Sequence, residues 1–192
     1  MLEALDAYRL GQHLQKETSM VQTIEDVYSW FAHPKTLEGG YPIFLLNTSR
    51  WDHTCTFLEH GRCRIYDARP KVCRLYPFTV DAGERGKDFT CYQCMDQNAS
   101  HFSGLCGGSV SVGDWFYENF TKEDRAYFRA ETKAVRQLGQ LMRSMGPKQQ
   151  KERLFQILYY RYFNFSLGQP FMEQYHENQK ILMAELQSCA KG

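Results

Sequence analysis

Cysteine supplies the distinctive chemistry of this chain. Six of its seven cysteines, Cys55, Cys63, Cys73, Cys91, Cys94 and Cys106, lie between residues 55 and 106, and the seventh, Cys189, stands apart near the end. Zinc and iron–sulfur centres both need thiolates that converge from segments able to fold back on one another. Cys91-x-x-Cys94 does this locally, because two intervening residues let both sulfurs face one ion. Cys55, Cys63 and Cys73 are separated by seven and nine residues. They are weak signals singly and stronger as a set. Two other readings stay open: buried free thiols acting as small apolar side chains, and a redox dithiol or disulfide. Metal binding is read first, because the stretch is polar and rich in glycine and because seven cysteines cannot all pair within one chain. His53, His60 and His101 can substitute for a thiolate. They are read as solvated loop residues, since the cysteines already exceed the needs of one tetrahedral site.

No other constellation competes. The sequence has no phosphate-binding or dinucleotide-binding glycine loop, no nucleophile elbow and no HExxH helix. Gly104-Leu-Cys-Gly-Gly108 does not link a strand to a helix in the required way, and its glycines suit a backbone that turns around Cys106. Lysines and arginines number 23 against 22 acids, for a net charge of +1, so there is no basic footprint for nucleic acid. Tyr159-Tyr-Arg-Tyr-Phe163 therefore reads as packing surface rather than as a base-stacking platform. The first ten residues lack the apolar core of a signal peptide, and no run approaches the ~18 residues that would span a bilayer. The expectation is a cytoplasmic chain with no membrane partner.

The elements that must position the cysteines follow from periodicity and punctuation. Leu2, Leu5, Leu10 and Leu14 predict a helix over residues 2–15. Thr23-Ile-Glu-Asp26 predicts a capping box opening a second helix, with Val27, Trp30 and Phe31 on its apolar side. His33-Pro34 and Gly39-Gly40 mark the loop that ends it. Tyr41–Leu46 reads as a buried strand. Within the cysteine region, Gly61, Pro70, Pro77, Gly83, Gly86, Gly104, Gly107 and Gly108 leave room only for short strands or single helical turns. Arg64–Tyr66 and Phe78–Val80 are the expected strands, and 81–87 a hairpin-like connection. Thr121-Lys-Glu-Asp124 opens a long helix that Gly146-Pro147 stops. Another helix is expected over 148–163, and a last one places Phe171, Tyr175, Asn178, Leu182, Leu186 and Cys189 on one stripe.

The fold class that results is α+β and mostly helical: a small, loop-rich cysteine module with short strands, flanked by N-terminal helices and a C-terminal helical half. The expected division is a metal-binding domain over 1–120, with its cysteine module at 41–120, and a helical region over 121–192 packed on it.

The run Cys55-Thr-Phe-Leu-Glu-His-Gly-Arg-Cys63-Arg-Ile-Tyr-Asp-Ala-Arg69-Pro70-Lys-Val-Cys73-Arg-Leu-Tyr-Pro77 closely resembles the signature of the YkgJ-type cysteine-cluster family of zinc- or iron-chelating domains, which is related to the flagellin lysine N-methylases. The resemblance extends from residue 41 to about 120, through Cys106-Gly-Gly and Val110-Ser-Val-Gly-Asp-Trp115. It implies Cys55, Cys63, Cys73 and a later cysteine, Cys94 or Cys106, as metal ligands; Cys91 is a candidate from its spacing to Cys94. It also implies structural roles for Arg69-Pro70 and Arg74, whose guanidinium groups can neutralise thiolate charge. Members of the family usually carry a CxxCxxCC-like cluster ahead of a helix similar to residues 2–15, and here the chain begins at that helix.

Three functions are expected in order. The first is a metal-binding protein holding zinc or an iron–sulfur cluster. The second, implied by the resemblance alone, is a protein-lysine N-methyltransferase, although no S-adenosylmethionine motif is visible. The third is a helical interaction module with a structural metal and a protein partner of unknown kind; an exposed apolar stripe on the last helix would favour it.

Overall fold

Leu2, Leu5, Leu10 and Leu14 recur at three to five residues, and all four are 2% exposed or less. They lie along α1 (Ala4–Glu17), or just before it, in the computed structural model, which describes residues 1–37, 41–82, 89–93 and 111–190. The chain folds into two compact units, one of residues 1–70 with 133–192 and one of residues 71–132.

In the first unit, α2 (Ile24–Phe31) opens with the predicted capping box. The Asp26 carboxylate accepts from the amides of Gln22 and Thr23 at 2.8 Å, and the Thr23 hydroxyl accepts from the Asp26 amide at 3.3 Å. Its buried side is Ile24, Val27 and Tyr28, whereas Trp30 is 55% exposed. His33-Pro34 lies not in a loop but in β1 (Ala32–Thr36), which pairs antiparallel with β2 (Pro42–Leu46), Pro34 opposite Phe44. Proline is tolerated because each strand of a two-stranded ribbon has a free edge, where a missing N–H breaks no ladder bond.

The chain then tightens into a minimal hairpin, β3 (Leu58–Glu59) with β4 (Arg62–Cys63), turning through His60 at φ +49° and Gly61 at φ +75°. Two left-handed central residues match the right-handed twist of the strands. Arg64–Tyr66 is therefore not a strand. The Arg64 amide donates back to the Phe57 carbonyl at 2.9 Å, and Tyr66–Ala68 coils into a 3-10 turn.

Later elements complete this unit. α5 (Lys122–Arg143), whose second half belongs here, ends before Gly146. α6 (Pro147–Leu158) begins with proline at its first turn and with the Gly146 amide donating to Gln149 Oε1 at 3.1 Å. The expected helix to Phe163 changes character at its end: Tyr159–Phe163 is a π turn, closed by the Asn164 amide on the Tyr159 carbonyl at 2.8 Å. α7 (Phe171–Ala190) buries Phe171, Tyr175, Asn178, Leu182 and Leu186, so these five positions of the predicted stripe are internal rather than a free docking face, and the Cys189 side chain lies outside the described ones. Asn178 is satisfied there by reciprocal bonds with Asn164 at 2.7 and 2.6 Å.

Two cores result. One joins α2, β2 and the π turn through Tyr28, Phe44, Tyr162 and Phe163, whose ring centroids lie 4.5 to 6.0 Å apart. The other gathers Leu138, Met145, Ile157, Leu182 and Leu186, with Tyr41, Leu141, Met142 and Tyr160 against it. α1 is tied to the segment before α7 by Tyr8 donating to the Gln169 carbonyl at 2.6 Å and Gln12 to that of Leu167 at 2.9 Å.

The second unit holds α3 (Lys71–Leu75), the antiparallel pair β5 (Phe78–Ala82) and β6 (Phe89–Gln93), α4 (Val112–Asn119), and the first half of α5. The expected strand at Phe78–Val80 is thus present, and the residues linking it to β6, 83–88, lie outside the described residues. Phe120 is fully buried, with Phe89, Phe116 and Phe128 at 5.1 to 6.0 Å. The mostly helical α+β class is as expected. No helix among the described residues is long and apolar enough to cross a membrane.

Candidate metal centre

The loop that delivers Cys55 is built by a short carboxylate. Asp52 accepts from the Thr54 amide at 3.1 Å and from its hydroxyl at 2.9 Å. Hydrogen bonds from the Ser49 hydroxyl, and then from Thr54, hold the Asp52 carboxyl below the usual carboxylate range. The Ser49 amide donates to the Thr54 carbonyl at 2.8 Å, and Thr48 and Cys55 form an isolated antiparallel bridge. The backbone is thereby pinned on the residues just before the first thiol.

From Cys55 the chain wraps around Phe57, which is fully buried, its ring 5.0 Å from that of Phe31. The Leu58 amide donates to the Cys55 carbonyl at 2.9 Å, and Leu58 is the cross-strand partner of Cys63. One small knot of backbone therefore carries both Cys55 and Cys63, each half-buried and in no disulfide. Arg62 and Arg64 flank Cys63. Arg64 pairs with Glu59 at 2.9 Å and lies 5.8 Å from the centre of the Phe57 ring. The ion pair is exposed and adds little stability. His53, at φ +57°, and His60 are exposed turn residues, which agrees with the loop reading; His101 lies outside the described residues.

Cys73 and Cys91 belong to the second unit. Cys73 is exposed on α3, and Cys91 sits on β6 opposite Val80. Cys94 and Cys106 lie outside the described residues. Among the described residues, no three histidine, cysteine, aspartate or glutamate side chains form a group able to hold a metal. The donor chemistry fits a thiophilic metal: Cys55 and Cys63 offer two soft sulfur donors on one short stretch of backbone.

The arginines do structural work, as expected. Arg69 donates to the Tyr66 carbonyl at 3.0 Å and lays its guanidinium 3.7 Å from the centre of that tyrosine's ring. Arg74 makes a two-pronged pair with the buried Asp124 and donates to the Asn119 carbonyl at 2.6 Å. Sequence reasoning did not mark Asp52 as a partner, although Asp52-x-Thr54 is a readable side-chain turn, and it marked Asp124 only through the capping pattern with Thr121, not as the partner of Arg74.

Residues 5–101 match CxxCxxCC, described as a putative zinc- or iron-chelating domain. The chain belongs to this family. The match takes in Cys55, Cys63, Cys73, Cys91 and Cys94 and ends short of Cys106. No curated protein and no solved structure matches the chain. As a CxxCxxCC domain it has one two-residue step, Cys91-x-x-Cys94, and carries Cys55, Cys63 and Cys73 at wider spacings.

Proposed function

We propose that the protein binds a zinc ion or an iron–sulfur cluster through Cys55, Cys63, Cys73 and a later cysteine, Cys94 or Cys106, with Cys91 as a neighbouring donor. The observation that carries this reading is that two half-buried cysteines, Cys55 and Cys63, lie on one short stretch of backbone linked through Leu58, in a chain that belongs to a zinc- or iron-chelating family. The Gly-x-Cys-x-Ile-Tyr, Arg-Pro and Cys-Arg-x-Tyr-Pro steps support a YkgJ-type member. The metal module is then the stretch over 41–120, followed by a helical region. An odd number of cysteines, with Cys55 and Cys63 in no disulfide, suits a reducing cytoplasm. Four thiolates would make a closed, structural site; three would leave a position open to a small molecule.

The test is metal and acid-labile sulfide content, with an absorption spectrum, on protein purified without oxygen or added metal. About one zinc, or iron with sulfide and visible absorption, is expected, and a Cys55→Ser/Cys63→Ser double variant should lose it. Metal-free wild-type protein that also fails to take up zinc or iron would overturn the reading, as would a double variant with full metal content.

A further inference from the structure

Beneath α5 and α6 lies a groove of about 500 Å³, within the ~300 to 1,000 Å³ range of small-ligand sites. Its walls are Val135, Leu138, Met142, Leu154 and Ile157. Three features point to an occupant. The first is Gly139, in the interior of a 22-residue helix. Glycine there weakens the helix relative to alanine, yet no close packing demands it. A β-carbon at this position would meet nothing nearer than Arg143 Nη1, at 3.4 Å. Its effect is to leave space in the groove that a side chain would fill.

The second feature is charge. Lys151 lies on the rim and the Arg143 guanidinium stands beside Gly139, while no carboxylate lines the groove among the described residues. The third is Tyr41, which also lines it. The tyrosine's hydroxyl is buried and has no hydrogen-bond partner among the described residues, the condition of a donor that a ligand oxygen would satisfy. Gln150 is already committed to the carbonyls of Met142 and Met145, at 2.8 and 3.0 Å.

We propose that this groove binds a small amphiphile, an unbranched apolar chain ending in an anionic oxygen headgroup such as a carboxylate. The chain lies over Gly139 between Leu138, Met142 and Leu154, and the headgroup meets the cationic rim and the Tyr41 hydroxyl. The site is separate from the cysteines and does not depend on metal.

Titration calorimetry of the full chain with laurate below its micellar concentration tests this, with dodecanol and dodecyltrimethylammonium as the uncharged and cationic probes. Saturable laurate binding is expected, at least tenfold tighter than either probe. Gly139→Leu fills the groove and should abolish binding while the protein melts no lower than wild type. Val135→Glu, at a position 48% exposed, places a carboxylate on the wall without threatening the core and should weaken laurate at least tenfold. No saturable laurate binding, or unchanged binding in both variants, overturns the site. Equal affinity for laurate and dodecanol overturns the anionic headgroup.

Discussion

Arg74 grips Asp124 with both prongs of its guanidinium, Nη1 to Oδ2 and Nη2 to Oδ1, each at 2.9 Å. The same carboxylate accepts from the Thr121 amide at 2.8 Å and from its hydroxyl at 2.7 Å. A residue required by the first turn of α5 is therefore also the anchor of α3, the helix that carries Cys73. The Asp124 side chain is 2% exposed and that of Arg74 12%, so water screens the pair poorly.

Asp124→Ala should destabilise residues 71–132 by about 3 to 5 kcal/mol, since it removes one member of a buried ion pair together with a helix cap. Arg74→Lys keeps the charge but loses the fork, and should cost less. Urea unfolding followed by circular dichroism measures both. A loss below about 1 kcal/mol for Asp124→Ala would show that the pair does not hold the unit together.

Gly11 and Gly139 should respond in opposite directions to alanine. A β-carbon on Gly11 would lie 2.8 and 2.9 Å from the two Leu167 methyl carbons and 3.2 Å from Val27, so Gly11→Ala forces α1 away from its neighbours at a cost of about 1 to 3 kcal/mol. Gly139→Ala meets no such wall and should stabilise by up to about 1 kcal/mol. Melting temperatures of the two variants, measured side by side, decide the matter.

Acid should act first on the capping carboxylates. Amide hydrogen bonds from Gln22 and then Thr23 hold the Asp26 carboxyl below its ordinary value, and Asp52 is lowered by Ser49 and Thr54. A depressed folded pKa means that the contribution is whole above the unfolded value of about 3.9 and is lost as pH falls through the folded one. Asp26→Asn and Asp52→Asn should therefore flatten the stability profile between roughly pH 5 and 2. At the other extreme, the Tyr160 phenol donates to Glu185 at 3.0 Å, and that bond raises its pKa. Its contribution is whole below the unfolded value of about 10 and is lost as pH rises through the higher folded one, an effect that Tyr160→Phe should abolish.

Single serine substitutions should separate ligands from bystanders. Cys55→Ser and Cys63→Ser are expected to lower metal affinity at least tenfold, whereas Cys189→Ser should leave metal content unchanged. Competition with a chromophoric chelator reads this directly, and equal affinities in all three variants would count against the hairpin thiols.

Features that depend on near neighbours in sequence were legible: both capping boxes, with partners three residues apart, the Gly146-Pro147 stop, and the α7 stripe. Arg64-Ile-Tyr66 alternates like a strand, but two left-handed residues at His60 and Gly61 close the hairpin before the alternation can extend. β1 was hidden because its partner begins six residues beyond its end, and the proline within it suggests a break unless the free edge is known. At the candidate site, spacing identified the cysteines as a set. Their grouping of Cys55 with Cys63 depends on that same turn and on the Leu58 amide, which no spacing rule contains. Cys94 and Cys106 lie outside the described residues.

The π turn at Tyr159–Phe163 works as a change of phase in the chain. A helix wound one residue wider rotates each successive side chain through a smaller angle, so residues that a regular helix would bring near one another are spread apart. Tyr160 thereby reaches Glu185 and the cluster that includes Leu182 and Leu186, while Tyr162 and Phe163 reach Tyr28 and Phe44. Three aromatic residues of one short turn thus serve two cores at once. Excising one of them would restore an even helix, but the aromatic side chains beyond the cut would then point at the wrong partners.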